Sequence, residues 1–238
     1  MKRSEINQKM REALQLCADH RFILPPFATW TPDEWKAKDM RSATIVRQLI
    51  GWDITDFGSG DFDKVGLILF TLRNGIFAEV DNDPLLARSY AEKILIVAEN
   101  QVTPTHFHHF KTEDIINRGG GVLVIQLWNS TEEELLADTP VEVVCDGTTR
   151  QVESGGTIEL EPGESVTLPR LLYHKFWGKP GHGTVLAGEV SRVCDEYLDN
   201  HFLEEVGRFA EIEEDEPPLH LLFEDYKHYY PYFDEVTE

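Results

Sequence analysis

Basic residues are scarce in this sequence, and acidic residues outnumber them nearly two to one. The 238 residues include 22 Lys and Arg against 43 Asp and Glu, which gives a formal charge of −21 at pH 7. Proteins hold nucleic acids mainly through Lys and Arg on the phosphate backbone, so this charge argues against nucleic acids and anionic membranes as partners. A negative field instead raises the local concentration of cations, which suits a metal site.

Cysteines and long apolar segments are also lacking. Cys17, Cys145 and Cys194 lie far apart, form no C-x-x-C unit and cannot all be paired, which indicates a reducing compartment. No segment approaches the ~20 apolar residues that a membrane-spanning helix needs. The first residues are charged or polar rather than the apolar core of a signal peptide. We therefore expect a cytoplasmic protein that does not associate with membranes.

The first 50 residues have the periodicity of helices. Apolar residues recur there at steps of three and four: Ile6, Met10, Ala13, Leu14 and Cys17. This spacing predicts a helix over 4–20, and Ser4 is a suitable N-cap. A second helix is predicted from Thr31, whose hydroxyl can cap it, to about Ile50, with a break near Asp39.

Short β-rich segments separated by glycines begin after Gly51. Nine of them read as strands: 65–72, 92–98, 105–110, 122–128, 141–145, 149–153, 165–168, 173–177 and 184–191. Asp146 and Gly147 lie between two of these strands, and this pair favours a two-residue hairpin turn in which both residues have positive φ. So many strands in about 125 residues predict a barrel or a sandwich.

We expect one domain, because all-β barrels of this length commonly fold as a single unit. It consists of a helical N-terminal extension (1–50), a β-barrel (51–200) and a C-terminal segment (201–238). The last segment is acidic at first and then aromatic. We interpret it as a short helical or extended stretch that packs on the barrel or on a partner subunit.

A cluster of histidines is the strongest chemical signal. Residues 105–113 place three of the nine histidines within four positions. Side chains alternate between the two faces of a strand, so His106 and His108 point to the same side and can chelate one cation. Glu113 can add a carboxylate oxygen if a turn follows the strand. His109 points the opposite way, and we interpret it as an ordinary strand residue.

A second motif lies about 60 residues further on, where Gly163 is followed by Pro169 and His174. With the first cluster, this spacing resembles the two motifs of the cupin family. Asn100 and Leu171 stand where that family usually has glycines, but these positions shape turns. The resemblance implies a jelly-roll-like β-barrel in which His106, His108, Glu113 and His174 bind one divalent metal. Three imidazoles and a carboxylate suit Mn, Fe, Co, Ni or Zn.

A narrower resemblance covers most of the chain. The matching segments are 1–4, 24–27, 92–93, 105–121, 161–165, 173–177 and 188–191, and they are similar to those of the bacterial D-lyxose isomerase family. The resemblance implies an aldose–ketose isomerase that interconverts D-lyxose with D-xylulose and D-mannose with D-fructose through an enediolate. It also implies Mn²⁺ as the usual metal, with Co²⁺ as another possible ion.

The resemblance favours Glu204 as the acid/base and Lys93 as a donor to the substrate oxygen. General acid–base catalysis of this kind typically contributes about 10²- to 10⁴-fold. Glu189, Asp195 and Lys111 are predicted to bind sugar hydroxyls. Interpretations without a catalytic role stay open for both residues: Glu204 could belong to a solvated helix face, and Lys93 could be a surface residue of a strand.

Two other functions fit the same four ligands. A cupin dioxygenase would use Fe²⁺ and consume oxygen, and a sugar-binding cupin would hold a structural metal without turnover. Fold alone does not decide between these classes. We expect a small sugar as the substrate and a homodimer as the assembly.

Overall fold

The computed structural model describes residues 1–79 and 88–237, and two antiparallel sheets dominate it. The strands are β1 (Gly51–Thr55), β2 (Leu67–Arg73), β3 (Tyr90–Val97), β4 (His106–His108), β5 (Glu113–Gly120), β6 (Leu123–Asn129), β7 (Val141–Cys145), β8 (Thr148–Val152), β9 (Thr157–Leu160), β10 (Ser165–Leu168), β11 (Leu172–Gly178), β12 (Val185–Arg192) and β13 (Asn200–Phe202). The larger sheet has the order β1-β2-β3-β12-β5-β10-β7-β8, and the smaller one β13-β4-β11-β6-β9.

The main core lies between the two sheets. Alternate residues of β7 are buried, namely Val141, Val143 and Cys145, and they meet Leu123, Ile125 and Leu127 of β6 in the opposite sheet. This period of two is the expected pattern for strands that face a core on one side. The mainly β, jelly-roll-like class is confirmed. In the described residues, however, the strands form two facing sheets rather than one closed barrel.

Helix α1 (Arg3–Asp19) covers the outer face of the larger sheet. Its residues Ile6, Met10, Ala13 and Cys17 pack with apolar side chains of β1, β2, β3 and β12, as their spacing predicts. The predicted N-cap is wrong. Lys2 occupies the N-cap position without a side-chain cap, while the Ser4 hydroxyl donates a hydrogen bond to Asp215 at 2.6 Å.

The second predicted helix is divided into shorter pieces. Thr31 caps α2 (Pro32–Lys36) and forms a reciprocal capping box with Glu34. The chain leaves the helix near Asp39, as predicted, and continues through a 3₁₀ turn into α3 (Ala43–Arg47). The single helix to Ile50 is therefore too long, because Asp39 accepts a hydrogen bond from the Arg41 N–H and starts a new turn.

The C-terminal segment packs against the N-terminal helices and β1. It ends in helices α4 (Tyr226–Tyr229) and α5 (Phe233–Thr237). The Trp35 and Tyr226 rings lie 4.3 Å apart between centroids, and the Tyr226 hydroxyl donates to Ile50 O at 2.7 Å. The buried Arg3 guanidinium pairs with Asp225 at 2.8 Å. These contacts join the two ends of the described chain.

Several turns adopt the left-handed conformation. Asp146 and Gly147 have φ of 49° and 79°, which confirms the predicted hairpin. Asn100 and Leu171, which replace the usual cupin glycines, also have positive φ, at 59° and 64°. Asn tolerates this region, whereas Leu does so at a cost. The turn geometry is therefore kept without glycine. None of the described helices is long and apolar enough to cross a membrane.

Candidate active site

The structure brings the four predicted ligands together in the interior. His106 and His108 lie on β4, Glu113 begins β5, and His174 lies on β11. His174 is paired with His106 across the smaller sheet, so the second motif reaches the first through strand register. Each of the three histidines can place one ring nitrogen within 4.8 Å of the other two. We call His106, His108 and His174 the histidine group.

Glu113 lies beside this group. Its Oε1 is 3.4 Å from His108 Nε2 and 3.2 Å from His174 Nε2, while its Oε2 accepts a bond from Lys111 at 2.7 Å. Burial alone would raise the pKa of Glu113, but Lys111 and His108 hold it well below its usual value. The carboxylate is therefore ionised, which is the form that ligates a metal.

Backbone carbonyls fix the orientation of two histidines. The ring Nδ1 of His106 lies 2.7 Å from Pro104 O, and that of His174 lies 2.9 Å from Leu172 O. A histidine bound in this way keeps its Nε2 lone pair for a metal. Burial, with His174 close by, lowers the pKa of His106 well below its usual value, so the ring is neutral.

The residues present fit a divalent ion. Among the described residues, His174 Nε2 and His108 Nδ1 are buried without a hydrogen-bond partner. Buried polar atoms without partners are rare in native proteins, and metal coordination would satisfy them. The donor set of neutral imidazoles and a carboxylate suits Mn, Fe, Co, Ni or Zn. The histidine group can therefore hold a metal ion.

A chain of alternating charges leads away from Glu113. Lys111 bridges Glu113 and Glu189, with Nζ 2.7 Å from an oxygen of each carboxylate. Lys93 Nζ is 3.4 Å from Glu189 Oε1 and 2.6 Å from Glu196 Oε1. Burial alone would lower the pKa values of both lysines, but the carboxylates and the neighbouring Cys194 raise them. Both ammonium groups therefore stay charged.

The charged chain continues to three residues that the sequence analysis missed. Arg208 Nη2 binds Glu196 at 2.6 Å and Asp53 at 2.7 Å. Burial alone would raise the pKa of Glu196, but Lys93 and Arg208 hold it well below its usual value. We call this connected set of buried charged residues the ionic chain; its members, in order of contact, are Glu113, Lys111, Glu189, Lys93, Glu196, Arg208 and Asp53. Glu196, Arg208 and Asp53 come from separate parts of the sequence, and no spacing between them signals their contact.

A cavity of about 50 Å³ adjoins both groups. Its wall combines apolar side chains with the polar ends of the site. The apolar lining comprises Phe57, Leu67, Leu69, Leu95, Ile115, Phe176 and Phe202. Apolar walls with a few converging polar groups are typical of small-molecule sites. Lys93, Lys111 and Glu189, predicted as catalytic or sugar-binding residues, all line this cavity.

Glu204 and Asp195 lie elsewhere. Glu204 is exposed and lines a neighbouring cavity with Thr105 and Glu205. Its segment is held at the edge of the smaller sheet, where the Leu203 N–H donates to Thr105 O. Asp195 is half-buried, and its carboxylate accepts bonds from the backbone N–H groups of a turn. The structure therefore does not bring either carboxylate to the histidine group.

Two solved structures of L-ribose isomerases have a similar fold. L-ribose isomerase from Acinetobacter sp. DL28 matches with a TM-score of 0.61 and 17% identity, over 90% of this chain and 98% of that one. The enzyme from Cellulomonas parahominis matches with a TM-score of 0.59 and 16% identity, over the same shares. At this identity the likeness shows the fold, which is cupin-like.

Sequence relatives are much more similar. The D-lyxose/D-mannose isomerase of Escherichia coli O157:H7 is 46% identical over 96% of this chain and 100% of its own length. The D-lyxose/D-mannose isomerase of Serratia proteamaculans is 46% identical over 95% of this chain and 98% of its own length. With the cupin-like fold and the buried histidine group, these relatives define the protein as an aldose–ketose isomerase of sugars. The family described as D-lyxose isomerase matches residues 1–226, and the chain belongs to that family.

Proposed function

We propose that the protein interconverts D-lyxose with D-xylulose, and D-mannose with D-fructose, using a divalent ion held by His106, His108, Glu113 and His174. The main support for this proposal is the buried histidine group next to the ionic chain. The protein is also 46% identical to named D-lyxose/D-mannose isomerases. Mn²⁺ is the proposed metal, and Co²⁺ is an alternative. A homodimer in the cytoplasm stays a prediction.

The reaction needs a base that removes a proton from C2 and returns it to C1. We assign this role to Glu189, because it lines the cavity and contacts the two buried lysines of the ionic chain. Lys111 links Glu189 to Glu113, so the base is held at a fixed position relative to the histidine group. Glu204, the base that the resemblance favours, lies on a different cavity.

Lys93 is the proposed donor to the substrate oxygens. Its ammonium is buried at 2% exposure and fixed by Glu196, so it is preorganised near Glu189. A fixed positive charge in a dry site stabilises negative charge that develops in the transition state. A bound divalent ion supplies the same kind of stabilisation as a Lewis acid, worth several kcal/mol.

The first experiment tests activity and metal together. Metal-free protein is incubated with Mn²⁺, Co²⁺ or no metal and a panel of aldoses, and ketose formation is measured. We expect turnover of D-lyxose and D-mannose only with added metal. Equal turnover by thoroughly metal-depleted protein would contradict metal dependence, and turnover of other aldoses alone would contradict the substrate assignment.

A second experiment separates the two candidate bases. Glu189→Gln should lower kcat by about 10²- to 10⁴-fold, the usual contribution of a general base. Glu204→Gln is the matched control and should keep kcat near the wild-type value. The opposite result would return the role to Glu204. Metal content is measured in both variants, so that loss of metal is not mistaken for loss of the base.

A further inference from the structure

Two polar atoms on the cavity residues have no protein partner. Thr103 is buried at 3% exposure, and its hydroxyl Oγ1 makes no hydrogen bond to any described residue. Arg208 Nη1 is also buried without a partner in the described residues. Both residues line the cavity that contains His106 and Glu189. Most buried polar atoms in native proteins are hydrogen-bonded, so these two atoms indicate a ligand with hydrogen-bonding groups.

The Arg208 guanidinium is held in place from one side. Its Nη2 is 2.7 Å from Asp53 and 2.6 Å from Glu196, and its Cζ lies 4.8 Å from the centroid of the Phe209 ring. These contacts use one amino group and leave Nη1 available. A guanidinium donates hydrogen bonds and accepts none, so Nη1 requires an oxygen acceptor.

Thr103 is held by its backbone rather than by its side chain. Its N–H donates to Phe176 O at 3.0 Å, which anchors the residue beside β11. The hydroxyl can both donate and accept. The residue lines the cavity together with apolar side chains such as Leu67 and Phe176.

We propose that Thr103 Oγ1 and Arg208 Nη1 form a subsite that binds hydroxyl groups of the sugar away from C1 and C2. The inference rests on the proposed function, because it needs a polyhydroxylated substrate in this cavity. Sugar hydroxyls supply the acceptor that Arg208 needs and both partners that Thr103 can use. The two residues then determine which sugars fit, since a site built to bond a hydroxyl discriminates strongly against an analogue that lacks it.

The test compares variants on a sugar and on its deoxy derivatives. Thr103→Val removes the hydroxyl and keeps the side-chain shape, and Arg208→Lys keeps the charge beside Asp53 and Glu196. The parent sugar is the aldose that wild type isomerises fastest, assayed together with its 3-, 4- and 5-deoxy derivatives. We expect Thr103→Val to lower kcat/KM about tenfold for the parent, equivalent to about 1.4 kcal/mol, but not for one deoxy derivative.

Thr105→Val is the matched control, because Thr105 lines the neighbouring cavity, and it should leave kcat/KM unchanged for every sugar. Thr103→Val should also unfold at a temperature no lower than wild type, since it removes a buried hydroxyl that has no protein partner. A purely structural role for Thr103 would instead lower stability and reduce kcat/KM equally for all sugars.

Several outcomes overturn the inference. For Thr103→Val, an equal loss of kcat/KM on the parent sugar and on all deoxy sugars would contradict the inference. An unchanged kcat/KM on the parent sugar would contradict it too. For Arg208→Lys, a uniform loss across the sugars would remove Arg208 from the subsite. If wild type forms no ketose from any aldose, the proposed function fails and this inference fails with it. The subsite alone fails when wild type is active and the variants show no dependence on the sugar.

Discussion

Replacing Lys111 by Met tests whether the ionic chain holds the interior together. Lys111 is 2% exposed, and its Nζ lies 2.7 Å from both Glu113 and Glu189. Met has a similar shape without charge, so Lys111→Met leaves Glu113 without a cation and Glu189 with only Lys93, at 3.4 Å. Removing one partner of a buried ion pair costs about 3–5 kcal/mol. We expect the free energy of unfolding to fall by that amount.

Urea-induced unfolding of the metal-free protein measures this change. The double variant Lys111→Met/Glu189→Met removes cation and carboxylate together, and it should lose less than the sum of the two single variants. Lys64→Met is the control, because Lys64 pairs with Asp61 at the surface, where it is 81% exposed, and screened pairs contribute little. A loss below about 1 kcal/mol for Lys111→Met, or strict additivity in the double variant, would refute the reasoning.

Three further predictions concern other parts of the molecule. In the folded protein the pKa of Glu196 lies well below the usual 4.5. The ionised carboxylate therefore stabilises the fold fully above pH 4.5, and this stabilisation is lost as the pH falls through the folded pKa. The difference in unfolding free energy between wild type and Glu196→Gln should shrink in acid. Thr31→Ala removes the capping box of α2 and should lower the unfolding free energy by about 1 kcal/mol. All three cysteines are buried, and burial raises the pKa of Cys17 to about 11 and of Cys194 to about 12. Ellman's reagent at pH 8 should therefore find no rapidly reacting thiol until urea unfolds the protein, and a fast native reaction would contradict this.

Much of the β-architecture could be predicted because apolar and polar residues alternate along strands that are buried on one face. Strands β7 and β10 have the predicted bounds, and most others differ by one or two residues. β1 was missed although apolar and polar residues alternate along it, with Trp52 and Ile54 apolar and Asp53 and Thr55 polar; all five of its residues are buried. β5, β9 and β13 were missed too, and β5 contains Asp114, Asn117 and Gly119, which are residue types depleted in strands.

The convergence of the histidines could be predicted from motif spacing, but the ionic chain could not. His106 and His108 share a face through strand geometry alone, and the cupin resemblance supplied His174. Glu196 follows β12 in a turn, and Arg208 lies in an irregular segment. No local pattern predicts that such residues meet in the interior. The sequence around Glu204 likewise does not indicate that this residue lines the neighbouring cavity.

The link between Arg3 and Asp225 has a consequence for how the chain is made. These two buried residues are separated by 222 positions, and Glu214 also binds Arg3 at 2.6 Å. The first helix leaves the ribosome long before its carboxylate partners are synthesised, so these ion pairs form only after the apolar contacts of the helix with β1, β2 and β3 have become possible. Contacts of such long range close late and slow the folding reaction. A nascent chain stalled before residue 214 would leave the Arg3 guanidinium without either carboxylate.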